Sequence, residues 1–202
     1  MDRLAKLRLA RVAAALNERR PGLPSLVLMT DDERLTDPLA AARALPRGSM
    51  VVVRARQASH RAKLAQSLRP IARTRGLVLL IANDPALADR IGAAGLHLSE
   101  ANVARAAEWR ARRPNWLITS AAHSLAACAT ARRFRANAVF LSPIFATASH
   151  RDGKHLGAPQ ARVIAANAPL PVYALGGLNG TRVRRLMRSQ FAGLAAIGAL
   201  AA

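Results

Sequence analysis

The sequence predicts a small single-domain α/β protein, a (β/α)8 or TIM barrel, and three observations carry that reading. Eight short apolar runs alternate with helix-patterned segments along 202 residues. Successive parallel strands need a helical crossover to cover the sheet, so this alternation specifies a parallel sheet. The last two runs end in glycine, at Gly176-Gly177 and at Ile197-Gly198, where a barrel commonly holds a phosphate. The length lies at the lower edge of about 200 to 400 residues for this fold, so helices must be short and loops spare. An open doubly wound sheet is the alternative arrangement of the same elements.

Taken in order, residues 4–16 form an amphipathic opening helix that precedes the first strand and ends at Asn17 and the loop Pro21-Gly22-Leu23-Pro24. Strand-like 26–30 leads through Asp31-Asp32-Glu33 to a helix near 38–45. The run 50–54 is the second strand and feeds a helix over 60–75. Residues 77–81 are a third strand closing on Asn83-Asp84, with a helix over 85–93. A short fourth strand, 95–98, precedes a helix near 103–112; a fifth, 116–120, precedes one beginning at Ser124. The sixth, seventh and eighth strands start near 137, 171 and 193. The whole chain, 1–202, reads as one domain, because a chain this long buries roughly 70% of its surface in one core.

Composition sets limits on function. The chain is 51% hydrophobic and 3% aromatic, so its core is built of Ala, Leu, Val and Ile, and no run approaches the ~18 apolar residues of a membrane helix. The first ten residues are interrupted by charges, unlike a signal peptide. One cysteine, Cys128, allows neither an internal disulfide nor a cysteine-rich zinc site. A soluble, cytoplasmic protein without membrane partners is the expectation. The formal net charge is +20, and only Lys6, Lys63 and Lys154 among the 31 basic residues are not arginine. Such a surface binds polyanions at low salt. Without an aromatic-studded sheet, zinc finger or helix-turn-helix, however, specific nucleic-acid recognition is not expected. Two dense groups, Arg110 to Arg113 and Arg182 to Arg185, fall on expected outer helices.

The stretch 137–150 organises the site. A β-branched and aromatic strand gives way to a small-residue loop carrying Thr147, Ser149 and His150, and barrel sites form at the C-terminal ends of strands. Gly176 and Gly177 follow the seventh strand and Gly198 the eighth. Glycine lets backbone amides approach an anion with no Cβ in the way.

Seven short marks, in order and at matching spacing, resemble the thiamine phosphate synthase/TenI family of small β/α barrels. They are Leu28-Met29-Thr30-Asp31, Ile81-Ala82-Asn83-Asp84, Gly92 to Leu98, Ala122-His123-Ser124, Ser142 to Thr147, Ala174 to Leu178 and Gly193 to Ile197. The resemblance covers nearly the full chain and implies thiamine biosynthesis, with a thiazole phosphate as the small-molecule ligand. Thr147 and Ser149 would hold that phosphate, with the amides at Gly176, Gly177, Ile197 and Gly198. Gly198 stands where the family often has serine. Arg54, Arg56, Asn83 and His150 are further substrate-binding positions on the same resemblance, and a homodimer is compatible with it.

The family has two activities. Synthase members join a pyrimidine pyrophosphate to thiazole phosphate with Mg2+, which needs metal carboxylates and cations for the leaving pyrophosphate. Asp84 matches one metal carboxylate, but the second acidic position is Asn102. An expected lysine is His150, and an imidazole of reference pKa ~6.5 is a poor substitute for a permanent cation. Arg56 replaces another lysine, an expected glutamine falls at Val52, and an expected serine is Ala121. TenI-type members are thiazole tautomerases, needing one acid/base group and no cofactor, and His123 matches their histidine. The sequence therefore points to a thiazole tautomerase with His123 as catalyst. The alternatives are a Mg2+-dependent synthase using Asp84, and a barrel that only binds phosphate ligands or nucleic acid. His97 reads as a structural imidazole, His60 as a surface residue, and His150 and His155 flank Arg151-Asp152-Gly153-Lys154, a loop that either closes over ligand or is merely solvated. The histidine spacing is too irregular for a zinc site.

Overall fold

A computed structural model describes residues 3–18, 22–147 and 155–201. Its centre is a closed barrel of eight parallel strands in sequence order, β8 pairing back onto β1. The strands are β1 Leu26–Met29, β2 Met50–Val53, β3 Val78–Ala82, β4 Gly95–Leu98, β5 Leu117–Ala122, β6 Ala138–Leu141, β7 Val172–Leu175 and β8 Gly193–Ala196. The helices are α1 Arg3–Asn17, α2 Pro38–Arg43, α3 Ala58–Arg75, α4 Pro85–Arg90, α5 Arg105–Arg112, α6 Leu125–Arg133 and α7 Gly157–Asn167.

Strand residues alternate between two buried layers, which is why the strands read as continuous apolar runs. Val27, Met29, Met50, Val52, Leu80, Phe140 and Tyr173 fill the interior, while Leu28, Val51, Leu79 and Ile118 face the helices. Gly193 makes room inside: a Cβ there would stand 2.2 Å from Ser25 O and 2.9 Å from the Tyr173 ring. The Tyr173 hydroxyl donates to Pro24 O at 2.7 Å and closes the N-terminal end of the barrel.

Local chemistry starts several helices. Asp37 and Asp84 each accept a backbone N–H three residues on and precede a proline at the first helical position, as Ser124 does for α6 without the proline. Such caps satisfy otherwise orphaned donors. α3 continues through Pro70 and ends on left-handed Gly76.

One crossover differs from the sequence reading. The group Arg182 to Arg185, expected on an outer helix, lies on a 3-10 turn, Arg182–Leu186; Gly198–Leu200, after β8, is another such turn. The physical reason is α1. It packs against β8, β1 and the Arg182–Leu186 turn, so the apolar flank that an eighth helix would cover is already buried. Asn17 Nδ2 ties the end of α1 to Ala192 O at 2.6 Å.

Candidate active site

The C-terminal ends of β6, β7 and β8 enclose a cavity of about 480 Å³ that gathers Thr147, Gly176, Gly177, Ile197 and Gly198. The two glycines after β7 sit at φ +98° and +65°, and Cβ atoms there would meet Pro143 Cα at 2.9 Å and Ala146 O at 2.6 Å. Only glycine allows the β7 loop to lie this close under the β6 loop. The pair of loops is laced by Ile144 N–H to Leu175 O at 2.9 Å and Phe145 N–H to Gly176 O at 3.1 Å. Arg34 and Arg182 also line the cavity. Arg182 Nη1 donates to Gly177 O at 3.1 Å and Ala146 O at 3.2 Å, which pins a guanidinium beside both loops. Neither arginine was read as a site residue in the sequence, where Arg182 was placed on an outer helix, because nothing local marks an arginine after a strand as facing inward. Ser149 and His150 lie outside the described residues.

His123 stands at the end of β5, half-exposed. Its Nδ1 lies 2.6 Å from Ser142 O; a carbonyl can only accept, so Nδ1–H donates, and in the neutral ring Nε2 carries the lone pair. Glu100 reaches it from the 3-10 turn Glu100–Asn102 after β4, accepting the His123 backbone N–H at 3.1 Å with a carboxylate oxygen 4.0 Å from Nε2. Glu100 is the residue that sequence reasoning passed over. An acid two residues beyond a strand end was the available signal, but the expected acidic position was Asn102.

Among the described residues of the mouth, Asp31, Glu33 and Asp84 are matched to arginine and Asp32 to His60. Asp31 accepts from Arg34 Nε and Nη2 at 3.0 and 2.7 Å and from Arg54 Nη2 at 2.5 Å. Arg34 holds the Asp31 carboxyl far below the usual carboxylate range, against an opposing push from burial. Arg54 is thereby fixed at the mouth with part of its fork engaged. Arg56 is mostly exposed and pairs with Glu33 at 2.9 Å. Asn83, at φ +52°, accepts from Ser99 N–H at 2.9 Å and Asn102 Nδ2 at 3.3 Å, so it latches the β3 and β4 loops together. Asp84 caps Leu87 N–H at 3.0 Å with one oxygen and accepts Arg61 Nη2 at 3.1 Å with the other. His97, by contrast, is a core residue: its Nδ1 is 3.0 Å from Thr119 Oγ1, and burial, with the Arg54 charge beyond it, pulls its pKa down to about 3.

Residues 26–200 match the family model described as thiamine monophosphate synthase. The chain belongs to that family. Thiamine-phosphate synthase from Chlorobium luteolum is 31% identical over 89% of this chain and 86% of its own length. The protein of the same name from Marinobacter nauticus is 29% identical over 90% and 83%. Thiamine phosphate pyrophosphorylase from Pyrococcus furiosus superposes with a TM-score of 0.73 at 21% identity, covering 88% of this chain and 87% of that one, a likeness of fold. The thiamine monophosphate synthase family consists of enzymes acting on small phosphate-bearing substrates. No helix among the described residues is long and apolar enough to cross a membrane.

The Mg2+ that family membership implies needs several oxygen ligands. In this thiamine monophosphate synthase family member, Asp84 is committed to a helix cap and a guanidinium, and its partner position is the neutral amide of Asn102. No group of three or more His, Cys, Asp or Glu converges among the described residues. As arranged, this donor set does not fit the ion.

Proposed function

We propose that the chain binds a thiazole phosphate and acts as a TenI-type thiazole tautomerase. The observation that carries this reading is the His123 constellation: Nδ1–H committed to Ser142 O, Nε2 left as a base, and the Glu100 carboxylate 4.0 Å away. In this mechanism Nε2 takes the proton from the ring carbon that bears the carboxylate. The same nitrogen returns a proton to the exocyclic carbon, and the ring becomes aromatic. Glu100 stabilises the transient imidazolium. Arg54 keeps guanidinium donors beyond those held by Asp31 and orients the substrate carboxylate. The cavity between β6 and β8 takes the phosphate, with Thr147 and Arg182 as donors beside the glycine amides. No step needs a cofactor.

The second reading is a thiamine phosphate synthase, favoured by the names of the relatives. It requires Arg61 to release Asp84, and it uses Arg56 with His150 as pyrophosphate cations. Turnover separates the two. Purified protein is offered the thiazole phosphate tautomers with chelator, and separately pyrimidine pyrophosphate with thiazole phosphate and Mg2+. Isomerisation under chelator that falls about 10²- to 10⁴-fold in His123→Gln supports the tautomerase. Thiamine phosphate formed only with Mg2+, and lost in Asp84→Ala, supports the synthase.

A further inference from the structure

Another cavity lies away from the mouth. About 640 Å³ opens at the opposite, N-terminal end of the barrel, between the starts of β6 and β7, where Arg110, Arg132, Arg135 and Asn137 face Leu170 and Pro171. We propose that this cavity is a second ligand site, for a small organic phosphate of nucleotide size. It does not rest on the reading of the mouth.

Charge is the first argument. Three guanidiniums meet around one cavity and, among the described residues, no carboxylate lines it. Among the described residues, neither Arg132 nor Arg135 forms an ion pair, although most arginines at the mouth are matched to acids. Burial and the nearby Arg135 charge both pull the Arg110 pKa below its ordinary value; like charges are being held together without a counter-ion, a cost that a bound anion removes.

Preorganisation is the second. Arg110 is built in: Nη1 donates to Pro114 O at 2.6 Å and Trp116 O at 2.9 Å, and Nη2 donates to Asn137 Oδ1. Asn137 Oδ1 also accepts Ile118 N–H at 2.8 Å, so the charge is clamped to the starts of β5 and β6. Arg135 takes the left-handed conformation at φ +66°, a strained choice for a non-glycine residue that turns the chain at the cavity edge. Shape is the third. The volume falls within the ~300–1,000 Å³ of small-molecule sites, and Pro169, Leu170 and Pro171 add an apolar wall beside the cations. Forked cations suit phosphate oxygens, and an apolar wall suits the organic part.

Metal-free calorimetry of the full chain with ATP and with inorganic tripolyphosphate tests this. The variant is Arg132→Gln with Arg135→Asn, asparagine being tolerant of the left-handed conformation. The control, Arg8→Gln with Arg11→Gln, removes the same charge from the exposed face of α1. The expected result is ATP bound more tightly than tripolyphosphate, and ATP affinity falling ~100-fold in the cavity variant, about tenfold for each guanidinium. The control should stay within about threefold of wild type, and turnover at the mouth should be unchanged in both variants. Equal losses in variant and control would reduce the effect to bulk charge and overturn the site. Unchanged ATP affinity in the cavity variant would do the same. Tripolyphosphate binding as tightly as ATP, or an oligonucleotide displacing ATP at lower concentration than any nucleotide, would overturn the assignment to a small organic phosphate.

Discussion

At the level of single residues, the site depends on what each polar group has already been given to do. In the proposed tautomerase His123 serves as the base, because a backbone carbonyl occupies one ring nitrogen and leaves the other. Glu100 is partly exposed, so its help is modest: Glu100→Gln should lower kcat about three- to tenfold and leave KM nearly unchanged, read from steady-state kinetics of the isomerisation. The glycines differ among themselves. At Gly177 a Cβ would press on Ala146 O at 2.6 Å in a left-handed conformation, whereas at Gly198 it meets only Arg34 O at 3.4 Å. Gly177→Ala should therefore raise the KM for a thiazole phosphate at least ~10-fold, and Gly198→Ser should lower it severalfold by adding a hydroxyl donor. Equal effects of the two substitutions would show that the cavity is not the phosphate site.

At the level of elements, α1 takes the place of a missing crossover helix. Its apolar face lies on β8 and β1, and Leu9 at its centre is fully buried. Leu9→Ala should cost about 2–5 kcal/mol by urea unfolding. Because the site lies at the strand ends, KM should stay unchanged. Most elements were legible beforehand, since the apolar runs, the Asp-Pro caps and the glycine at Gly76 are local signals. The Arg182–Leu186 turn was not: an arginine-rich amphipathic segment suits either a helix or a tight turn, and only the presence of α1 over that flank decides between them.

At the level of the whole molecule, an imidazole is sealed into the barrel interior. His97 is neutral when folded, with its pKa near 3, whereas an unfolded histidine titrates near ~6.5. Below about pH 6.5 the unfolded chain therefore binds a proton that the folded one refuses. Stability should fall as pH drops from about 6.5 toward 3, by at most ~1.4 kcal/mol per pH unit. Urea midpoints measured across that window should show the slope in wild type and a flatter one in His97→Gln; parallel slopes would place the acid sensitivity elsewhere.

Sequence alone determined the barrel and the family, because apolar periodicity, glycine and capping residues act through neighbours along the chain. The positions of His123 and of the glycines that line the cavity, at the ends of β5, β7 and β8, were legible for the same reason. Tertiary structure alone decided which charges are still available. Arg61 on Asp84, Arg54 on Asp31, Glu100 beside His123, and the arginine cavity at the far end all join residues of different crossovers. Ion pairing depends on distances of a few ångströms between side chains, and closure of the sheet, rather than spacing along the chain, sets those distances.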